Sequence, residues 1–323
     1  MQVAMIGAGV VGSAMGHRLL AQGHDVSVFD TNAAASEQLV KDGARSASSA
    51  ADATRTSEYV VTSLPRSEDV RKAFNDGAAG IIAGLRPGTV IVETSTVPPE
   101  VLRDLAPTIE DKRCFLVDAP LTSSIREHLR RPMLPVEGEA NLIRQNATAG
   151  NLCFFVGGDV TAVEKAQPLL QVLGVENHHL GPLGAGKVGK LVHNGINITE
   201  VAILSEMLVL AQAAGIELEK LVDVLIGTTN DSVMLRNHIA RYTVPGHFPR
   251  GLFPLKYGAK DMEYVVATAK DYEIECSVAS AVHELYERAS HTSYSEYYHP
   301  VIFRYIQELS ATTRAGQDAA SPS

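Results

Sequence analysis

Up to about Leu180, short runs of apolar, largely β-branched residues alternate with segments whose apolar positions recur at helical spacing. That alternation predicts a doubly wound parallel sheet with crossover helices. Strands are expected over residues 3–6, 25–29, 59–63, 89–92, 114–117 and 152–156. A helix is expected over 14–22, another starting near Ser67, and another opened by Pro98-Pro99. After Gly181 the pattern changes. Residues 187–213 read as one proline-free helix, apolar around most of its circumference in the second half, which predicts burial on all sides. More helices follow to about Leu309. The reading is therefore an α/β domain over 1–182 and an all-α domain over 183–311 built on that long central helix. An Ala/Ser/Gly-rich tail, 312–323, is expected to be disordered.

The segment between the first strand and its helix is Gly7-Ala8-Gly9-Val10-Val11-Gly12. In this context the first glycine allows a tight turn and the second lets backbone approach a pyrophosphate. The third lets helix and strand pack closely, with the phosphate lying on the helix N-terminus and Val10 and Val11, between the glycines, expected against the cofactor. The second strand ends in Asp30, at the distance where a carboxylate meets the adenosine ribose. Strand, glycines, helix, strand and acid in that order predict a Rossmann-type dinucleotide domain. Asp30 favours NAD, because a carboxylate there accepts from the ribose hydroxyls and repels a 2′-phosphate, and no arginine follows directly. NADP stays open as the alternative through a basic side chain from elsewhere, Arg45 or Arg66.

A chain of 323 residues is long enough for two domains. A net charge of −9 argues against a nucleic-acid partner held by phosphate contacts. Three widely spaced cysteines, Cys114, Cys153 and Cys276, suit reduced thiols. No stretch is read as a membrane span, and the first strand starts almost at Met1, leaving no room for a signal peptide. The expectation is a cytoplasmic protein without a membrane partner. A long central helix wrapped by others also suggests a subunit interface, so a homodimer or homotetramer is expected.

Lys190 and Asn194 stand four apart on the long helix, so both side chains leave one face a turn apart. Gly184 and Gly186 just upstream let that helix start close to another backbone. Desolvation lowers a lysine's pKa, and such an amine can take the hydroxyl proton of an alcohol while the carbon gives up hydride, or return it in reverse. Asn194 can hold the same oxygen. The plainer alternative is a solvated lysine at a helix start.

With these residues in view, the chain resembles the β-hydroxyacid dehydrogenases, the group of 3-hydroxyisobutyrate dehydrogenase and tartronate semialdehyde reductase, within the 6-phosphogluconate dehydrogenase superfamily. The resemblance covers roughly residues 1–270. It is carried by the glycine segment 7–12, Ser63-Leu64-Pro65, Glu93-Thr94-Ser95-Thr96, Asp118-Ala119-Pro120, and the run from Gly184 to Asn194. It implies an NAD(P)-dependent oxidoreductase moving hydride between the nicotinamide and a small 3-hydroxyacid, with Lys190 as general acid/base. It further implies that Ser63, Leu64, Pro65 and Thr96 line the cofactor, and that Phe253 and Lys260-Asp261 match a phenylalanine and a Lys-Asp pair near the nicotinamide. Lys260 is expected to touch cofactor and substrate.

The departures are specific. Where the family continues with Ser-Gly-Gly to bind the substrate carboxylate, this chain has Thr122-Ser123-Ser124, which keep a hydroxyl and the N–H groups but add side chains. Approximately residues 125–146 then form an insertion with Arg126, His128, Arg130, Arg131 and Arg144. These read either as a solvated loop or as a lid bringing arginine to a second acidic group of an anionic substrate. The family's closing segment is replaced by Ser293-Tyr294-Ser295-Glu296-Tyr297-Tyr298-His299-Pro300, read as packing or an oligomer contact. No HExxH or Cys/His ligand spacing is present, so no metal is expected. Two other functions compete: an imine reductase-like enzyme, against which Lys190 argues, and a non-catalytic dinucleotide-binding protein of the same fold.

Overall fold

The computed structural model describes residues 1–123 and 142–320. By contact density the chain divides into two compact units, Met1–Lys190 and Leu191–Ser323, and the long helix runs through the division.

The first unit holds a nine-stranded sheet: β1 Gln2–Ile6, β2 Asp25–Phe29, β3 Arg45–Ser46, β4 Tyr59–Thr62, β5 Val90–Glu93, β6 Phe115–Asp118, β7 Leu121–Ser123, β8 Leu152–Gly157 and β9 Gly174–Gly181. The strand order is β3-β2-β1-β4-β5-β6-β8-β7, with β9 also paired to β8. Helices α1 Val10–Ala21, α2 Ala33–Lys41, α3 Ala50–Arg55, α4 Ser67–Asn75, α5 Ile81–Gly84, α6 Glu100–Asp111, α7 Leu142–Ala149 and α8 Val160–Leu173 cover it. Alternate residues of β1 feed two separate cores. Val3 and Met5 pack with Leu19, Val28, Val61 and Val92, whereas Ala4 and Ile6 pack with Val60, Phe74, Ile91 and Leu102. Burial on both faces is why the central strands read as unbroken apolar runs.

The six strands from β3 to β6 are parallel. They form the doubly wound parallel sheet expected from the sequence; beyond them β8 runs antiparallel to both β6 and β7. The pairs Asp118–Gly157 and Leu121–Phe154 belong to one register. So β6 and β7 are a single strand interrupted at Ala119-Pro120. Pro120 lacks an N–H, but its carbonyl still accepts from Phe155 N at 2.9 Å.

The second unit takes up α9 Ala185–Ala213 from Leu191 on, followed by α10 Leu218–Ile226, a π-helix Leu235–Thr243, α11 Leu255–Asp271, α12 Ser277–Ser290, a 3₁₀ turn His299–Val301 and α13 Ile302–Ala320. Ile198, Val201 and Ala202 of α9 pack with Met262, Tyr286 and Ile302, and Leu208 packs with Val222, Leu235, Ile239 and Phe303. Burial of α9 on all sides does not hold: Val192, Ile196, Ile203, Met207 and Leu210 are exposed. By length and composition α9 is also apolar enough to cross a membrane, with a mean hydropathy of 1.4 over its best window. That corrects the expectation that no stretch reaches this measure. Its buried face is nevertheless built into the two apolar clusters of the second unit, as in the core helix of a folded domain. α13 continues to Ala320, consistent with the strong helix formers Ala, Arg and Gln in that segment.

Candidate active site

Gly7 takes φ +92°, and a Cβ there would lie 2.3 Å from Ser63 O. At Gly12 a Cβ would meet Gly7 O at 2.0 Å, so both positions exclude any side chain. Around Gly9, apart from its own chain neighbours and helix backbone, no described atom lies within 4 Å of the position a Cβ would take. Gly9 also N-caps α1 without a side-chain hydrogen bond. An open helix N-terminus behind a bare glycine fits a pyrophosphate, which backbone N–H groups and the helix dipole both favour. Val10 and Val11 open α1. Asp30, at the end of β2, accepts from Ala8 N at 2.7 Å and from Asn32 N at 2.8 Å. The acid expected at the ribose thus also braces the glycine loop.

Ser63, Leu64 and Pro65 follow β4, and Thr96 follows β5. Leu64 N donates to Ser95 Oγ at 2.8 Å, tying these two loops together. Ser95 N in turn donates to Glu93 Oε1 at 3.0 Å. Glu93 forms a buried ion pair with Lys187. The Lys187 ammonium also donates to Glu93 O at 3.1 Å and Ser95 O at 2.7 Å. Next to Glu93 in the sheet stands Asp118, which accepts from Gly184 N and Lys187 N, each at 2.8 Å. Burial pushes the Asp118 carboxyl up, against the pull of Lys187 and these two N–H donors. Gly184 takes φ +96°, and a Cβ on Gly186 would lie 2.2 Å from Phe155 O. That is the close approach the two glycines permit. Glu93 and Asp118 are therefore anchors of the α9 start, a role the motifs alone did not reveal.

Lys190 is buried, at 9% exposure, one turn along α9 from this anchored start. Asn194 is buried as well. In the second unit its Nδ2 donates to Asp261 Oδ2 at 2.6 Å, and its Oδ1 lies 3.0 Å from His193 Nδ1. The amide has a second N–H beyond the one given to Asp261. Lys260 is buried, with Nζ 3.1 Å from Asp261 Oδ1 and over the rings of Tyr257 and Tyr264. Asp261 thus joins two candidate residues, Asn194 and Lys260. Phe253 lies half-buried with its ring 5.4 Å from that of His299, edge-on. The tyrosine-rich segment supplies His299 and Tyr298 to a buried cluster behind Phe253.

Thr122 and Ser123 sit half-buried on β7, opposite Cys153 and Leu152. Ser124 and the arginines 126, 130 and 131 lie outside the described residues, while Arg144 is exposed on α7. Among the described residues, Cys153, Glu176 and His178 bring ligand-type atoms within 4.8 Å of one another. His178 Nε2 lies 3.2 Å from Glu176 Oε2, a hydrogen-bond distance that needs no ion, and strand pairing brings Cys153 opposite Glu176.

Residues 2–181 match the family model for the NAD binding domain of 6-phosphogluconate dehydrogenase. Residues 184–306 match the model described as NAD-binding of NADP-dependent 3-hydroxyisobutyrate dehydrogenase. The NAD-dependent L-serine dehydrogenase of Pseudomonas aeruginosa is 34% identical over 224 residues, 69% of this chain and 68% of that protein. The 2-(hydroxymethyl)glutarate dehydrogenase of Eubacterium barkeri is 27% identical over 286 residues, 88% of each chain. Among solved structures, Mycobacterium tuberculosis 3-hydroxyisobutyrate dehydrogenase with L-serine superposes with a TM-score of 0.80 at 22% identity, covering 94% of this chain and 98% of that one. At that identity the superposition speaks to fold.

Proposed function

The chain belongs to the β-hydroxyacid dehydrogenase family of 3-hydroxyisobutyrate dehydrogenase-like proteins, and from that premise we propose that Lys190 is its general acid/base on a small anionic 3-hydroxyacid. The observation that carries this reading is a buried amine on α9, one turn beyond a helix start that two buried acids hold in place. When bound, the nicotinamide supplies the hydride acceptor or donor. In oxidation the neutral Lys190 amine takes the hydroxyl proton as hydride leaves the same carbon; in reduction the ammonium returns it to the oxygen. Asn194, oriented by Asp261, gives its remaining N–H to that oxygen. The Thr122 hydroxyl and the Ser123 N–H hold the substrate carboxylate. Gly7, Gly9, Gly12, Val10 and Val11 form the pyrophosphate cradle, and Leu64, Pro65, Thr96, Phe253 and Lys260 contact the rest of the cofactor.

The test is production of reduced nicotinamide, followed by its near-ultraviolet absorbance, with L-serine, 3-hydroxyisobutyrate and 2-(hydroxymethyl)glutarate. Turnover of at least one is expected. Tight cofactor binding with no turnover, and none in reduction of a cyclic imine either, would favour a non-catalytic nucleotide-binding role.

NAD is the preferred cofactor on this reading. Arg45 is committed to Asp52 and Ser27, so it is not a spare cation for a 2′-phosphate. Asp30→Asn removes the charge while keeping an acceptor. The loss of a charge-assisted hydrogen bond predicts a fall of about 10- to 100-fold in kcat/KM for NAD, and a rise in the NADP to NAD ratio. An unchanged ratio would show that Asp30 does not select the cofactor.

We also propose that the chain is a homodimer or homotetramer. The exposed Val192, Ile196, Ile203, Met207 and Leu210 lie within one arc of α9, a continuous apolar stripe. Light scattering on the eluting protein should give a multimer, and Ile203→Lys with Met207→Lys should release smaller species. A monomeric wild type would refute this assignment.

A further inference from the structure

We infer that Lys187 is a positioning residue for Lys190, acting through its ion pair with Glu93; this rests on the reading of Lys190 as the acid/base. Neither side chain of the pair has any exposure. Taking two charges out of water costs several kcal/mol per ion, and replacing such a pair by apolar residues of similar volume is often neutral or stabilising. Stability alone therefore gives little reason to bury an ammonium at the start of a helix.

The partners of that ammonium show what it does. Its three hydrogens go to the Glu93 carboxylate, Glu93 O and Ser95 O. The other Glu93 oxygen receives Ser95 N, and Ser95 Oγ receives Leu64 N. One side chain thus fastens the first turn of α9 to the loops after β5 and β4, which carry Thr96 and Leu64-Pro65. Lys190 follows three residues later, on the neighbouring position of the same helix side. Asp118, beside Glu93 in the sheet, holds the backbone of that turn but reaches neither loop through the hydrogen bonds described. Among the hydrogen bonds described, the ion pair connects the amine's helix to those loops. A shift of about 1 Å between a proton-transfer group and its substrate costs on the order of a hundredfold in rate.

The test is the charge-neutral double variant Glu93→Leu/Lys187→Met in the full chain, compared with wild type and with Lys190→Met. Positioning predicts a folded, NAD-binding protein with kcat lowered at least about tenfold and KM for NAD within about threefold. A folded double variant with wild-type kcat overturns the inference, as does a kcat loss matched by an equal loss of NAD affinity. If the double variant does not fold, Lys187→Gln, which keeps a donor for Ser95 O, is judged by the same two outcomes. Full activity of Lys190→Met would instead sink the acid/base assignment, whatever the pair does.

Discussion

Replacing Lys190 by methionine is expected to lower kcat by about two to four orders of magnitude while leaving NAD binding close to wild type. Methionine fills a similar apolar volume without a titratable amine, and Lys190 is itself buried, so the substitution removes the proton carrier with little loss of packing. The anchors of the helix start, Asp118 and Glu93, bind Gly184 and Lys187, which the substitution leaves in place, so the fold and the nucleotide loop should survive. Lys190→Arg should not rescue activity, because a guanidinium stays protonated at working pH and cannot accept the hydroxyl proton. Steady-state kinetics with the best hydroxyacid, alongside NAD titration by fluorescence, give both quantities. A methionine variant at wild-type speed would mean that another group moves the proton.

Much of the fold was legible because its central strands are buried on both faces and its nucleotide loop carries its glycines in context. Strands that depend on tertiary partners were not. β7 has only three residues after a proline, and β9, GVENHHLG, is polar and largely exposed at the sheet edge, so neither shows an apolar run. The π-helix has no periodic signature of its own. In the site, Gly7, Gly12 and Asp30 announced themselves by spacing. Lys187 did not, since a lysine at a helix start is ordinarily solvated, and its partner stands 94 residues away. The all-round apolarity of α9 misled for a related reason: a pattern shows that a face avoids water, not whether this chain or another covers it.

The second unit should lose stability as pH falls from about neutral toward 4, through a cluster that joins His238 to the segment read from the sequence as packing or an oligomer contact. His238 Nδ1 lies 2.7 Å from Tyr298 OH, its ring stacked on Tyr298 and edge-on to His299. His299 is buried and its Nδ1 is 3.2 Å from Tyr286 OH. Burial, then Arg241, pushes His238 down from 6.5 to about 4; burial, then His238, holds His299 well below its ordinary value. Both therefore fold as neutral rings. A depressed folded-state pKa gives stability that is complete above the unfolded value near 6.5 and lost as pH falls through the folded one, because only the unfolded chain takes up the proton. For His238 the loss amounts to about 2–3 kcal/mol by pH 4, and His299 adds to it. Asp118, whose carboxyl is raised, works in the opposite direction, so the wild-type curve alone does not isolate the histidines. His238→Gln/His299→Gln keeps polar side chains at both places and removes the titration. Its Tm should fall less between pH 6.5 and 4 than the wild type's, whatever its starting value at pH 7. Parallel Tm curves for the two proteins would show that these rings play no part in acid unfolding. A shallower variant curve would mean that the imidazole behind Phe253 keeps this unit folded only while it is uncharged.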